Sequence, residues 1–262
     1  MDFENKINVT VIGCGNVGTH FCKSFLQDRV KIVQVINKTE LWAKKVAQEV
    51  KADFSFEFNS IPENTDYLVI CVKDKDIENV VEKIPVGNYT VIHTSGTVSI
   101  DVFKNKFKNF GVVYPLQTFT KEKRLSLKTI PFFLESNSKD NFLNLKRFAL
   151  AYSDNIWEAN SDKRKNIHLA AVFSCNFVNH LMVLSKEILK TEEMPLEILH
   201  PLIKETIEKA LLFGPEKVQT GPAVRGDEQT IKLHLELLEN KKEIQTLYKL
   251  LSQSITEQNY NV

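Results

Sequence analysis

The chain has little of anything that would mark a specialised partner or compartment. Charge of one sign is missing: 34 Lys and Arg stand against 33 Asp and Glu, a formal net charge of +1 over 262 residues. Without a global field to steer nucleic acid or an anionic membrane, neither partner is expected. Cysteine is scarce. Cys14, Cys22, Cys71 and Cys175 show no C-x-x-C spacing, which argues against a disulfide framework or zinc site and for reduced thiols in the cytoplasm. None of the 6 histidines clusters with carboxylates or cysteines in a ligand-like pattern, so no metal is expected. The first residues, MDFENK, lack the basic start and apolar run of a signal peptide. Long apolar runs are missing too. The nearest, Leu169 to Leu184, is interrupted by Ser174, Asn176, Asn179 and His180. It falls short of the roughly 20 residues a bilayer needs and reads as a buried helix. There is no internal repeat and no low-complexity segment. What remains is ordinary: 43% hydrophobic and 26% charged residues exclude a disordered chain and fit one large or two modest domains.

The first half alternates. Ile7–Ile12 is a β-branched run followed by a glycine loop, and Val17, Phe21 and Phe25 then recur at helical spacing. Val30–Ile36 repeats the pattern before a helix over 39–50. Segments 66–72, 89–94, 111–114 and 130–135 read as strands, and 76–84 as a short helix. Nearly all-apolar strands alternating with helices predict a doubly wound, mostly parallel sheet covered on both faces, an α/β Rossmann domain over 1–158. Beyond residue 160 the texture is helical: 162–190, 195–213, 227–240 and 241–258, with Pro201 kinking or restarting the second. An all-α domain over 159–262 is expected.

Gly13-Cys14-Gly15-Asn16-Val17-Gly18 is G-x-G-x-x-G between a strand and a helix, the context in which the pattern binds a dinucleotide. Gly13 permits the turn, Gly15 the approach of a pyrophosphate, and Gly18 close helix–strand packing. The second strand ends in Asn37-Lys38-Thr39, where NAD-binding chains usually place an acid on the ribose 2′-OH. Donors and a cation suit a 2′-phosphate instead, so NADP is favoured over NAD. Two further strand ends face the same edge. One offers Val72 and Lys73; the other offers Ser95 and Gly96 where a nicotinamide would project. His93 reads as a strand residue under a covering helix.

On the long helix, His168, Val172, Cys175 and Asn179 share a face, with Asn176 at its edge. His168 is the best proton donor, being of a type that titrates near neutrality. Asn176 and Asn179 among apolar neighbours would need partners, a ligand or a buried network. Arg225, in a glycine-flanked loop, could fork onto a carboxylate, and Asp227 fits a helix N-cap. Positive charge is thus placed singly, at Lys38 and Arg225.

The stretches GCGNVG (13–18), HTSGT (93–97), YPLQTF (114–119), HLAAVFSCNFVNHL (168–181) and TGPAVRGDEQT (220–230), with His234 beyond, resemble the Rossmann-like proteins carrying a DUF2520 domain. These are taken to be NADP oxidoreductases, related in architecture to pyrroline-5-carboxylate reductase and the 6-phosphogluconate dehydrogenase-like superfamily. The resemblance implies a dinucleotide domain, a helical dimerisation domain and a cleft between them. Related β-hydroxyacid dehydrogenases carry a lysine four residues before an asparagine. If Asn176 is that asparagine, the lysine position is Val172, which argues against simple hydroxyacid oxidation. The expected function is hydride transfer between NADPH and a small carbonyl or imine substrate, anionic if Arg225 binds it. His168, Asn176, Ser95 and Arg225 form the catalytic set. The alternative is a non-catalytic NADP-binding sensor or scaffold, dimeric through its helices.

Overall fold

The sheet begins where the β-branched runs are. Strand β1 (Ile7–Ile12) leads through the glycine loop to helix α1 (Asn16–Lys23), then β2 (Val30–Ile36) and α2 (Glu40–Val50). A short β3 (Asp53–Ser55) and β4 (Tyr67–Ile70) precede α3 (Ile77–Lys83) and β5 (Thr90–His93). After β6 (Phe110–Pro115) come β7 (Phe132–Ser136), α4 (Lys139–Ala149) and β8 (Ile156–Glu158). The computed structural model describes residues 6–25, 28–121, 123 and 125–258. Its sheet has eight strands in the order β3-β2-β1-β4-β5-β6-β7-β8, parallel throughout except for β6 with β7. Strand order reverses between β1 and β4, where the glycine loop emerges, and such a switch point is where α/β sheets bind ligands.

Both faces of the sheet are covered, as the apolar strands require. Along β4, Tyr67 and Val69 join one buried cluster with Phe21, Val46 and Phe148, while Leu68 and Ile70 join another with Ile77, Val80 and Phe103. Two strands and one helix of this part of the chain have no counterpart in the sequence-based reading. Strands β3 and β8 are three residues each and not fully buried on any residue, so they carry no apolar run. Helix α4 does carry one, with Phe142, Leu145, Phe148 and Ala149 at helical spacing.

Helix α5 (Ser161–Ala171) passes through a π-helical stretch, Val172–Phe177, into α6 (Val178–Leu189). Then follow a turn at Leu196–Leu199, α7 (His200–Phe213), the short α8 (Pro215–Val218), α9 (Glu228–Leu237) and α10 (Lys242–Glu257). Pro201 sits in the first turn of α7, restarting the helix where its missing N–H costs nothing. The chain forms two compact units, Met1–Asn176 and Phe177–Val262. The first holds the sheet and α5.

The helix over 169–184, expected to be buried, is not. No residue of the π-helical stretch or of α6 is buried, and Leu169 and Val183 are 55% and 54% exposed. Leu202, Leu211, Leu212, Leu233 and Leu237 on the later helices are exposed as well. The apolar faces are present, but the chain's own few helices do not cover them. By length and composition alone, the run Ser161–Glu192 is also sufficient to cross a membrane.

Candidate functional site

The glycine loop is built as a phosphate cradle. Gly13 has φ +100°, and a Cβ there would stand 2.7 Å from the carbonyl oxygen of Cys71, at the end of β4. At Gly18 a Cβ would lie 1.9 Å from the Gly13 carbonyl oxygen. Gly15 is different: nothing lies nearer than 3.9 Å to its Cβ position, so the open side faces outward. It caps α1 without any side-chain bond, and no acid occupies the first turn. Free backbone donors and the helix dipole therefore remain for an anion. A groove of about 640 Å³ runs past this loop and is lined by Asn16, Val17, Asn37, Lys38, Val72 and Lys73. Lys75 and Lys121 also line it, giving four lysines against one carboxylate, Asp76. Positive charge is thus gathered here rather than placed singly at Lys38. A dinucleotide with two or three phosphates fits this donor set.

Within the groove the residues divide. Asn37 is engaged at both ends: Oδ1 accepts from the Cys14 N–H at 3.1 Å, and Nδ2 donates to the Thr39 carbonyl at 3.1 Å. It ties the end of β2 to the glycine loop. Lys38 and Thr39 are exposed, and the Thr39 hydroxyl makes no cap on α2. Asn16 Nδ2 donates to the Phe119 carbonyl at 2.8 Å, pinning the loop after β6 beside α1. That loop brings Lys121 over the Trp42 ring, 3.9 Å from its centroid.

At the end of β5, Ser95 Oγ accepts the N–H groups of Thr97 and Val98, each at 3.0 Å. It shapes the turn, and its own proton faces Thr97 Oγ1 at 3.5 Å, the Thr97 hydroxyl donating in turn to Asp74. Gly96 is packed tightly: a Cβ there would meet His168 Nδ1 at 2.9 Å and Tyr114 Cζ at 2.9 Å. His168 Nδ1 is hydrogen-bonded to the Tyr114 hydroxyl at 3.0 Å. Burial, with Asp74 adding and Arg164 opposing, pushes the Tyr114 phenol up to about 12. Below it, Arg164 is wholly buried and ion-paired to Glu135.

His93 is fully buried, its ring 5.5 Å from that of Phe103, as read from the strand pattern. Burial first, then the Arg164 charge, push its imidazole down to about 3, against an opposing hydrogen bond to the Ser99 backbone. The unfolded chain protonates this residue below about 6.5 while the folded one does not, so stability falls as pH drops from there toward 3. His93→Gln should show a shallower loss of stability over that window in acid-dependent denaturant melts. An unchanged slope would discharge His93 from the effect.

The other expected residues lie elsewhere. Asn176 and Asn179 are exposed, so the expected burial cost does not arise in this chain. The π-helical stretch also breaks the face read for His168, Val172, Cys175 and Asn179, because its wider turn shifts the register. Arg225 belongs to the helical unit, is exposed, and makes no ion pair among the described residues. Asp227 caps α9 as expected, its Oδ1 accepting the Thr230 N–H at 3.0 Å and Oδ2 the Thr230 hydroxyl at 2.7 Å. Among the described residues no group of His, Cys, Asp and Glu could hold a metal. Lys73 lines the groove as expected, while Tyr114, Glu135, Arg164 and the lysines 75 and 121 form the part of the site that sequence reasoning missed. Tyr114 had a signal: it ends β6, on the same edge as the ends of β1, β4 and β5.

A family model described as "Domain of unknown function (DUF2520)" matches residues 130–255, and one described as "Shikimate / quinate 5-dehydrogenase" matches 2–101. A crystal structure from Bacteroides fragilis, of a protein taken to be an NADP oxidoreductase, is similar along its length. Identity is 36% over 96% of this chain and 98% of that one, with a TM-score of 0.88. A reductive aminase from Aspergillus terreus, in complex with NADPH and ethyl-5-oxohexanoate, shares the fold with a TM-score of 0.75. Identity there is 11%, covering 98% of this chain and 96% of that one. Over 109 residues, 40% of this chain, there is 28% identity to a glutamyl-tRNA reductase from Methanococcus maripaludis. That match spans 28% of the curated relative's length.

Proposed function

The chain belongs to the family of Rossmann-like proteins that carry the DUF2520 domain, and from that membership we propose an NADP-dependent oxidoreductase acting on a small carbonyl or imine compound. One observation carries the chemistry: His168, bonded to Tyr114 at 3.0 Å, packs on Gly96 at the same sheet edge that bears the glycine loop. NADPH, when bound, supplies the hydride. Gly15 and the first turn of α1 hold the diphosphate, while Lys38 and Thr39 take the 2′-phosphate.

The chain's own residues handle the proton. Tyr114 stays protonated across the neutral range, so its O–H can donate to His168 Nδ1. That leaves the ring proton on Nε2, the nitrogen free to pass it to the reduced oxygen or nitrogen, with solvent reprotonating the ring. Ser95, by shaping the turn that carries Gly96, orients the ligand at the end of β5. Asn176 is assigned to substrate recognition. Four cysteines without a disulfide among the described residues support a reducing, cytoplasmic setting. The uncovered leucines of the helical unit support a homodimer, and a monomer in light scattering would contradict it.

The test is fluorescence titration with NADPH and NADH, then an oxidation screen over keto acids, imines and aldehydes. NADPH should bind more tightly, and Lys38→Ala should remove about tenfold of that preference, the worth of one charge-assisted bond. Equal affinities in the parent refute the use of residues 37–39. Binding without turnover across the panel, with His168→Ala unchanged, leaves a sensor or scaffold in place of an enzyme.

A further inference from the structure

We infer that Arg164 is a positioning residue for His168: its buried guanidinium, paired with Glu135, holds the Ser95–Val98 loop in place against the histidine. The inference rests on the proton-handling role given to His168 above. Arg164 Nε donates to the Ser95 carbonyl at 3.1 Å, and Nη2 donates to the Val98 carbonyl and, at 3.3 Å, to Ser161 Oγ. Nη1 donates to Glu135 Oε2. Glu135 is fixed in turn by the Ser161 N–H at 2.9 Å and the Ser161 hydroxyl at 2.8 Å. Ser161 Oγ also accepts the Ile100 N–H at 3.2 Å. Both ends of one loop are thereby fastened to the first turn of α5.

Stability alone does not account for this arrangement. A buried ion pair is often no better than well-packed apolar side chains of the same volume. The apolar alternative could not reach two carbonyls of one loop, and neither could lysine, which lacks the planar fork. The geometry does have a use at the site. His168 lies one turn beyond Arg164 on the same helix face, and Gly96 lies inside the clamped loop. Their contact has no slack, since a Cβ on Gly96 would fall 3.0 Å from His168 Cβ. In a trans peptide the C=O and N–H point opposite ways, so fixing the Ser95 carbonyl also fixes the Gly96 N–H, directed away from Arg164. Gly96 is buried, and its N–H meets no acceptor among the described residues. A backbone donor at a buried residue needs a partner, which water or a ligand can supply.

The test uses the full chain with selectively labelled glycine and histidine, readable because there are only 9 and 6 of them. In Arg164→Lys the Gly96 amide and His168 ring signals should move, while those of Gly13 and Gly15 and the NADPH affinity hold. Turnover of the best panel substrate should fall about 10²-fold at unchanged NADPH affinity, the effect of an ångström of misplacement. A folded Arg164→Lys with Gly96 and His168 unmoved, or with parental turnover, overturns the inference. If Arg164→Lys does not fold, Ser161→Ala decides: it keeps the ion pair, and the same two signals should move by less. Unmoved signals there, or loss of the fold in both variants, make the clamp mere scaffold and equally overturn the inference. A panel without turnover counts against the oxidoreductase reading, and the labelled signals still judge the positioning.

Discussion

His168→Ala is expected to lower NADPH-dependent reduction by about 10²- to 10⁴-fold, the usual worth of one positioned acid, while NADPH binds as before. The affinity should hold because His168 is not among the residues lining the glycine-loop groove. Tyr114→Phe should cost less, because it removes the bond that fixes the ring and leaves the proton carrier in place. The pH behaviour separates the two residues. With the phenol raised to about 12, Tyr114 keeps its proton through the whole working range. Any inflection in the rate profile between roughly pH 5 and 9 then belongs to another group and should persist in Tyr114→Phe. Steady-state rates for the parent and both variants across that range test the assignment. A His168→Ala rate within a few-fold of the parent would hand the proton to another residue.

What the sequence reveals here is what neighbours in the chain can encode. The run Ile7–Ile12, three glycines at fixed spacing and a second strand 12 residues after Gly18 suffice to announce the dinucleotide half. The pattern itself is local, although Gly13 answers to the Cys71 carbonyl, Gly18 to the Gly13 carbonyl, and Gly15 to open space. Tyr114 and His168 are 54 positions apart, and Arg164 reaches Ser95 across 69. No periodicity connects them; only the sheet brings them together. The π-helical stretch is invisible for another reason. Reading faces at 3.6 residues per turn assumes a regular helix, and one wide turn at Val172–Phe177 displaces Asn179 from the face assigned to it. The error over 169–184 is one of context: an apolar helix reads as buried whether its own chain covers it or not. Legibility therefore declines from the glycine loop, through the proton pair, to the helical surface.

The three glycines offer the sharpest remaining contrast, because the structure gives them different work. Gly18→Ala should damage both fold and binding. Its Cβ would sit 1.9 Å from the Gly13 carbonyl oxygen, a backbone atom that cannot swing aside, and 3.0 Å from Cys71 Cβ. Such overpacking costs about 1–3 kcal/mol, enough to lower Tm by roughly 2–10 °C in a protein of this size. NADPH binding should be lost with it, because moving Gly13 moves the turn that faces the phosphates. Gly15→Ala should leave Tm at the parental value, since the nearest atom to its Cβ is 3.9 Å away and its φ is −70°. The added methyl stands instead where the diphosphate must approach the backbone, and NADPH affinity should drop about 10- to 100-fold, one or two charge-assisted bonds' worth. Thermal melts paired with NADPH titrations of both variants decide the matter. A Gly15→Ala protein that binds NADPH like the parent would place the phosphates elsewhere and undo the cradle, whereas a Gly18→Ala protein with parental Tm would mean that α1 can shift and that packing is not why glycine is needed there.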